Sequence, residues 1–153
     1  MSWPFSMVAL IPARAGSKRI PGKNTKLLAG HPVIAYTIAA AQESGVFCQV
    51  VVCSDSDDVF RFVCCGHEVD GVSYVDRPSA TDHEADIVWI RHALKTCAGV
   101  GMNPDAFAIL RPTSPFRTAE TIRRAFAQFS SAVDSLRAVE VWNGPHPGKM
   151  WSY

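Results

Sequence analysis

Positive charge is concentrated in one short stretch near the amino terminus, residues 12–24, which we call the first basic loop. It contains two glycines, no acidic residue and four cationic side chains, namely Arg14, Lys18, Arg19 and Lys23. It follows a short apolar run, residues 7–11, that is typical of a buried strand. In α/β proteins the loop after such a strand is a common ligand site, and amides beside Gly16 and Gly22 can approach an anion closely. The pattern predicts a loop that binds a ligand with several negative charges, with phosphates as the first hypothesis.

Three kinds of phosphate-binding loop compete for this stretch. A dinucleotide fingerprint requires G-x-G-x-x-G directly after the strand, and the positions of Gly16 and Gly22 do not fit it. A P-loop requires G-x-x-x-x-G-K-[ST], but five residues separate the two glycines, and Asn24 stands in place of the hydroxyl residue. The third kind is the loop of nucleotidyltransferases, and a P-loop NTPase stays as the weaker alternative.

The first basic loop is part of a longer segment, IPARAGSKRIPGKN (11–24), that closely resembles the signature I-P-A-R-G-G-S-K-x-I-P-x-K-N of the acylneuraminate cytidylyltransferases. Further segments resemble motifs of the same family, in chain order PVIAYTI (32–38), VVCSDS (51–56), RP (77–78), RPTSPFR (111–117) and HPGKMW (146–151). The resemblance runs from about Val8 to the last residue. It implies a Rossmann-like nucleotidyltransferase fold of GT-A type and an enzyme that joins CTP to a nonulosonic (sialic-type) acid, with release of pyrophosphate.

The resemblance also implies roles for individual residues. The residues expected to act at the reacting phosphate are Lys23 and Arg14. Those expected to bind the nucleotide are Arg14, Ala15, Gly16, Ser17, Lys18, Asn24 and Arg77. Those expected to bind the sugar acid are Arg111, Thr113, Ser114, Arg117, His146 and Lys149. In this hypothesis residues 111–117, which we call the second basic loop, face the sugar.

Several of these residues also have a simpler interpretation. Arg77 fits a surface turn, and His146 fits a Pro-Gly turn. Arg117 is placed to form a surface ion pair with Glu120. Asp55 follows a predicted strand and is the one candidate metal ligand that the sequence suggests. A helix N-cap is the simpler role for it because a helix is predicted to begin there.

The chain departs from the family pattern in three places. Arg111 stands where sialic acid synthetases usually have glutamine, so the sugar stays open and includes legionaminic, pseudaminic and deoxy-octulosonic acids. The stretch 77–86 is shorter than in the family, and the family's serine contact has no clear counterpart there. The acids expected to bind Mg²⁺, the implied cofactor, would lie beyond Tyr153. A CTP-binding module without turnover is therefore the alternative from a different class, and residues 1–153 are expected to be the N-terminal part of a single nucleotidyltransferase domain.

Length and composition favour one soluble globular domain. Of 153 residues, 48% are hydrophobic and 19% charged, and the net charge is +1. This balance provides no global attraction to nucleic acid or membrane, and neither is an expected partner. Because no apolar run could span a bilayer and no signal peptide is visible, we expect a cytoplasmic protein, and by resemblance a homodimer. The five cysteines have no metal-type spacing, so we expect reduced, mostly buried thiols.

Apolar runs and helical periodicities alternate along the chain. Strands are expected at 7–11, 48–54, 72–75, 106–110 and 136–141, and helices at 32–44, 55–65, 87–97 and 118–129. This alternation predicts an α/β fold with a mostly parallel sheet and helices on both faces. Right-handed crossovers would place the loops after the strands at one edge of the sheet. There they could surround one crevice, formed by residues 12–24, 55–57, 77–86 and 111–117.

Overall fold

A computed structural model describes residues 6–17, 20–65, 69–78, 86–129 and 133–137. Its elements are, in chain order, β1 (Met7–Pro12), β2 (Leu27–Leu28), β3 (His31–Pro32), α1 (Val33–Ser44), β4 (Gln49–Ser54), α2 (Asp57–Phe60), β5 (Val72–Asp76), α3 (Asp86–Gly99), β6 (Ala106–Ile109) and α4 (Ala119–Gln128). A π-helical turn, Arg61–Cys65, continues α2. Within this described part of the chain, no helix has the length and apolar character needed to cross a membrane.

The main sheet has four parallel strands in the order β5-β4-β1-β6, which confirms the predicted parallel sheet. β1 lies inside the sheet, where Leu10 pairs with Val51 on one side and with Ile109 on the other. The chain moves outward from β1 through β4 to β5, then returns to the opposite side of β1 as β6. Strand order therefore reverses between β1 and β6, and α/β sheets form their ligand crevice at the carboxyl ends of strands at such a point.

Helices cover both faces of the sheet, as predicted. Met7, Ala9 and Ile11 belong to a core with residues of α1, α2 and α4, whereas Val8 and Leu10 belong to a second core with residues of α3. This division arises because successive side chains of a strand point to opposite faces. All five side chains are buried, so β1 provides a fixed base for the first basic loop.

Capping residues account for the helix boundaries. α1 ends at Gly45, whose φ of 64° lies in the left-handed region that favours glycine. Thr118 caps α4 with its hydroxyl, as its position in the sequence predicts. The cap of α2 is Ser56, whose hydroxyl accepts a hydrogen bond from the Val59 amide. The interpretation of Asp55 as that N-cap is therefore wrong.

The structure differs from the sequence-based expectations in further places. β2 and β3 form an antiparallel hairpin before α1, and strands of two residues are too short to produce a periodic pattern. All five cysteines are free thiols, but the expectation that most are buried is wrong, since the exposed ones are Cys48, Cys64 and Cys65. Leu136 and Arg137 belong to no strand, and the rest of the predicted strand 136–141 lies outside the described residues.

Candidate active site

A cleft of ≈ 120 Å³ opens beyond the carboxyl ends of β1, β5 and β6. The residues that line it come from both basic loops and from the position after β5, and they are Pro12, Arg14, Ser17, Lys23, Asn24, Arg77, Arg111, Pro112 and Thr113. Four of these side chains are cationic and none is acidic. A concave site lined in this way attracts anionic ligands.

The beginning of the first basic loop is fixed to the end of β4. The Ala13 amide donates to the Cys53 carbonyl at 2.9 Å, and the buried Ser54 hydroxyl donates to the Ala13 carbonyl at 2.5 Å. The Ala15 amide donates to Oδ1 of Asp55 at 2.7 Å. These hydrogen bonds position the beginning of the loop, and none of them uses a cationic side chain.

Asn24 fixes the end of the same loop. Its side chain is buried, and Nδ2 donates to the Arg14 carbonyl at 3.3 Å, which joins the two ends of the loop. Its own carbonyl accepts the Ile34 amide of α1 at 2.9 Å, and the Lys26 carbonyl accepts the Val33 amide at 2.9 Å. The first amides of α1 are therefore satisfied by the loop, and Asn24 has a structural role beside its place in the cleft wall.

A tight turn places Lys23 in the cleft. Gly22 has a φ of 61°, where a side chain would be strained, and its carbonyl accepts the amides of Thr25 and Lys26, both at 3.0 Å. Lys23 is half-buried in this turn and lines the cleft with Arg14 and Ser17. The turn thus brings Lys23 beside residues nine and six positions earlier in the chain.

Arg77 is buried at the base of the cleft, with 9% of its surface exposed. Its amide donates to the Ser54 carbonyl at 2.8 Å, and its guanidinium carbon lies 5.5 Å from the ring centroid of Trp89, a cation–π distance. Nε is buried and has no hydrogen-bond partner among the described residues. The interpretation of Arg77 as a surface-turn residue is therefore wrong.

Arg111 forms an ion pair with Asp86, the first residue of α3, through Nη2 and Oδ2. The other carboxylate oxygen of Asp86 accepts the indole Nε1–H of Trp89 at 2.9 Å. The indole hydrogen bond, followed by the positive charges of Arg111 and Arg77, holds the pKa of Asp86 below its ordinary value. The carboxylate therefore stays ionised, and the ion pair persists at neutral pH.

Arg117 contacts Arg111 at the other end of the second basic loop. Its Nη2 donates a hydrogen bond to the Arg111 carbonyl at 3.4 Å. Burial lowers the pKa of Arg117, and its Nη1 is buried without a hydrogen-bond partner in the described part of the chain. Glu120 pairs with Arg123 instead, at 3.1 Å. The alternative that pairs Arg117 with Glu120 is therefore wrong.

The structure brings together most, but not all, of the residues that the sequence suggests for the site. Those in the cleft wall are Arg14, Ser17, Lys23, Asn24, Arg77, Arg111 and Thr113. Those near the wall but not part of it are Ala15, Gly16, Ser114 and Arg117. Those that lie outside the described residues are Lys18, His146 and Lys149.

The sequence patterns assigned no individual role at the cleft to Trp89 or to Asp86. Trp89 supports Arg77 through its ring, and Asp86 joins Trp89 to Arg111. The spacing of three residues between Asp86 and Trp89 at a helix start is a usable signal, because such residues are neighbours on a helix surface. The pairing with Arg111 has no such signal, since 25 positions separate it from Asp86.

The described residues do not assemble a metal site. Among them, no three His, Cys, Asp or Glu side chains are grouped closely enough to hold a metal ion. Asp55, the candidate ligand, uses Oδ1 to accept the Ala15 amide. The described part of the chain thus contains no dedicated group of three metal ligands, whereas Mg²⁺ is usually held by one or two carboxylates together with substrate phosphates.

The chain is similar in sequence to curated proteins. A curated relative, the CMP-N,N'-diacetyllegionaminic acid synthase of Legionella pneumophila, is 44% identical over 120 residues, which are 78% of this chain and 51% of that protein. The N-acylneuraminate cytidylyltransferase of Escherichia coli O18:K1:H7 is 34% identical over 146 residues, 94% of this chain and 33% of that protein. The chain thus spans about half, or less, of the length of these relatives.

The fold is also shared with solved structures. The CMP:2-keto-3-deoxy-manno-octonic acid synthetase complexed with CTP matches with a TM-score of 0.64 at 22% identity, over 80% of this chain and 46% of that one. This likeness confirms the Rossmann-like nucleotidyltransferase fold. A family model described as cytidylyltransferase matches residues 8–145. The chain therefore belongs to the cytidylyltransferase family, as the motif in its first basic loop predicts.

Proposed function

We propose that the protein containing this chain is a cytidylyltransferase that joins CTP to a nonulosonic acid and releases pyrophosphate. The observation that carries the proposal is the convergence of Arg14, Lys23, Arg77 and Arg111 on one cleft without an acid in its wall. A triphosphate and a sugar carboxylate both carry negative charge. A site for both must therefore concentrate cations, and this cleft does so.

In the proposed reaction the anomeric hydroxyl oxygen attacks the α-phosphorus of CTP. The new oxygen–phosphorus bond forms as the bond to the β-phosphate oxygen breaks, pyrophosphate leaves, and the hydroxyl proton passes to solvent. Negative charge increases on the phosphate oxygens during this step, so fixed cations supply most of the catalysis. Lys23 is the residue we assign to the α-phosphate, and we assign Arg14 and Lys18 to the rest of the triphosphate.

The remaining residues of the first basic loop and Arg77 are assigned to the nucleotide. Ser17 and the amides of Ala15 and Gly16 would donate to phosphate oxygens, and Asn24 would contact the nucleotide while it holds the loop ends together. Arg77 would donate to O2 and N3 of cytosine, since a guanidinium offers paired donors. Its fixed position over Trp89 supports this role, because a rigid donor loses little entropy on binding.

The second basic loop is assigned to the sugar acid. Arg111, Thr113, Ser114 and Arg117 are the proposed contacts in the described part of the chain, and His146 and Lys149 are proposed from the sequence alone. The two curated relatives are named for different nonulosonic acids, so the sugar must be chosen by experiment.

Three further properties are proposed from the family resemblance. We propose that Mg²⁺ assists the reaction, that the protein is cytoplasmic, and that it forms a homodimer. The charge of a bound divalent cation would add to that of Lys23 and Arg14 at the phosphates. Because the described residues contain no group of three candidate ligands, no step of the reaction is assigned to the metal.

The decisive experiment is an assay of pyrophosphate release with CTP, Mg²⁺ and a panel of sugar acids. The panel contains N-acetylneuraminic, legionaminic, pseudaminic and 3-deoxy-octulosonic acids, and the chain is assayed beside the longest protein that its gene encodes. Release with one acid supports the proposal and identifies the substrate. Release of phosphate or pyrophosphate without any acid would indicate nucleotide hydrolysis and contradict it.

A second candidate function is a CTP-binding module without turnover. The observation in its favour is that the described residues contain no group of acids suited to a catalytic metal. Binding of CTP by calorimetry, together with no pyrophosphate release from either protein, is the outcome that would favour this function over the first.

A further inference from the structure

Asp86 does not line the cleft, but it contacts one residue of the cleft wall, Arg111, and also Trp89, which supports another, Arg77. Its Oδ2 pairs with Nη2 of Arg111 in the second basic loop, while its Oδ1 accepts the indole Nε1–H of Trp89 at 2.9 Å. Each carboxylate oxygen therefore has its own partner. A carboxylate held at one oxygen by a fixed donor presents the other in a fixed direction.

The donor that fixes Asp86 is rigid because Trp89 is almost fully buried, with 1% of its surface exposed. Its ring packs in the core that also contains Leu10 of β1 and Val51 of β4. The same ring lies under the guanidinium of Arg77 at 5.5 Å. One buried side chain thus supports both Arg77 directly and, through Asp86, Arg111.

The ion pair between Asp86 and Arg111 is too exposed to contribute much to stability. The two side chains are 48% and 53% exposed, and exposed pairs are generally of little energetic value because water screens them. What a preorganised carboxylate can do at such a position is restrict a long, flexible arginine to one orientation. This restriction acts on the geometry of the cleft wall and hardly on the fold.

We propose that Asp86 is a positioning residue that aims the Arg111 guanidinium at the sugar acid. The proposal rests on the proposed function, in which Arg111 contacts that substrate. Without the carboxylate, Arg111 keeps its charge but loses its fixed direction. The loss should therefore affect binding of the sugar acid, while binding of CTP, which we assign to other residues, should hardly change.

The test compares Asp86→Asn with the wild type in steady-state assays in which CTP and the sugar acid are varied separately. Asparagine retains an oxygen that can accept the Trp89 indole but removes the charge that holds Arg111. We expect KM for the sugar acid to rise about tenfold, since misplacement of a positioning group has effects of this order or larger. We expect KM for CTP to change less than about twofold, since residues separate from this pair are nearly independent.

A double variant separates positioning from a purely structural role. In an Arg111→Gln background, Asp86→Asn should cause no further rise in KM for the sugar acid, because the group that Asp86 positions is absent. Glu120→Gln is the matched control, since it removes an exposed carboxylate paired with Arg123 at 3.1 Å, away from the cleft. It should change neither KM.

Two results would overturn the proposal while leaving the proposed function intact. One is an equal effect of Asp86→Asn with and without Arg111, and the other is an unchanged or lower KM for the sugar acid in the single variant. A lower KM would mean that the carboxylate only masks the Arg111 charge. If the wild-type protein turns over no sugar acid at all, the proposed function fails and this inference fails with it.

Discussion

The two basic loops flank the same cleft but are fixed by different kinds of interaction. The first basic loop is held by hydrogen bonds of its backbone to the end of β4, at Ala13 and Ala15, and by the buried side chain of Asn24. In the second basic loop, the Arg111 side chain is held by a charge pair with Asp86 of α3. It is also more exposed, with Phe116 84% exposed at its tip.

This difference indicates which loop tolerates change in its charges. In the first loop the hydrogen bonds that fix Ala13, Ala15 and Asn24 use no cationic side chain, so replacing Lys23 removes none of them. In the second loop a cation is itself part of the interaction, because the ion pair with Asp86 orients the Arg111 side chain. Substitution of Lys23 should therefore affect chemistry with little change in the fold. Substitution of Arg111 should affect specificity.

The largest effect is expected for Lys23→Ala in the first basic loop. We expect kcat to fall by about 10²–10³-fold, the usual loss when one group that stabilises transition-state charge is removed, with little change in melting temperature. Lys26→Ala is the matched control, because Lys26 is exposed and lies outside the cleft wall. Unchanged turnover in Lys23→Ala would refute the assigned role. A large loss of stability would show that the Lys23 side chain also helps to hold the first basic loop in place.

Ser54→Ala should remove a hydrogen bond that holds the first basic loop to the end of β4. The buried hydroxyl donates to the Ala13 carbonyl at 2.5 Å and accepts the Ser56 amide at 3.0 Å, and both groups would lose a partner. We expect the free energy of unfolding, measured with urea, to fall by about 1–3 kcal/mol. Thr96→Ala, at an exposed position in α3, should change it by less than about 0.5 kcal/mol. An equal change in the free energy of unfolding for the two variants would contradict the role assigned to the Ser54 hydroxyl.

Arg111→Gln tests the second basic loop. We expect the ratio of kcat/KM for N-acetylneuraminate over the preferred acid to rise about tenfold, since contacts in a pocket discriminate by this order. The reason is that the neutral amide is the group usual in sialic acid synthetases. Competition assays with two acids measure the ratio directly, and Arg61→Gln, at an exposed pair with Asp58, is the control. A constant ratio would remove Arg111 from the set of specificity residues.

The smallest effect is a pH-dependent difference in stability between the wild type and Asp86→Asn. The pKa of Asp86 is lowered in the folded state, so its ionised form stabilises the fold above the unfolded carboxyl pKa of about 3.9. This stabilisation is lost as pH falls through the folded-state pKa. Melting temperatures of the two proteins should therefore converge as pH is lowered below about 4. A constant difference over the whole range would show that the charge of Asp86 contributes nothing.

Local patterns predicted the main elements of the described residues, although not the β2–β3 hairpin, and they identified both loops that line the cleft. Gly45 and Thr118 identified helix ends because capping depends on neighbouring residues. The first basic loop was located because its charges and glycines are contiguous and follow a buried strand. The cap at Ser56, one residue after the expected Asp55, shows the limit of such reasoning, since both residue types accept the same hydrogen bond.

The sequence by itself determined the alternation of strands and helices, the family, and the residue types that meet at the cleft, because each is encoded in short contiguous patterns. Only the tertiary structure decided that the Ser54 hydroxyl bonds to Ala13, 41 positions earlier in the chain, and that Asp86 pairs with Arg111, 25 positions later. Such pairs form when strand order and helix packing bring distant segments within hydrogen-bond distance. Side-chain type sets what each residue can bind, and the packing of the sheet with α3 selects which partner it meets.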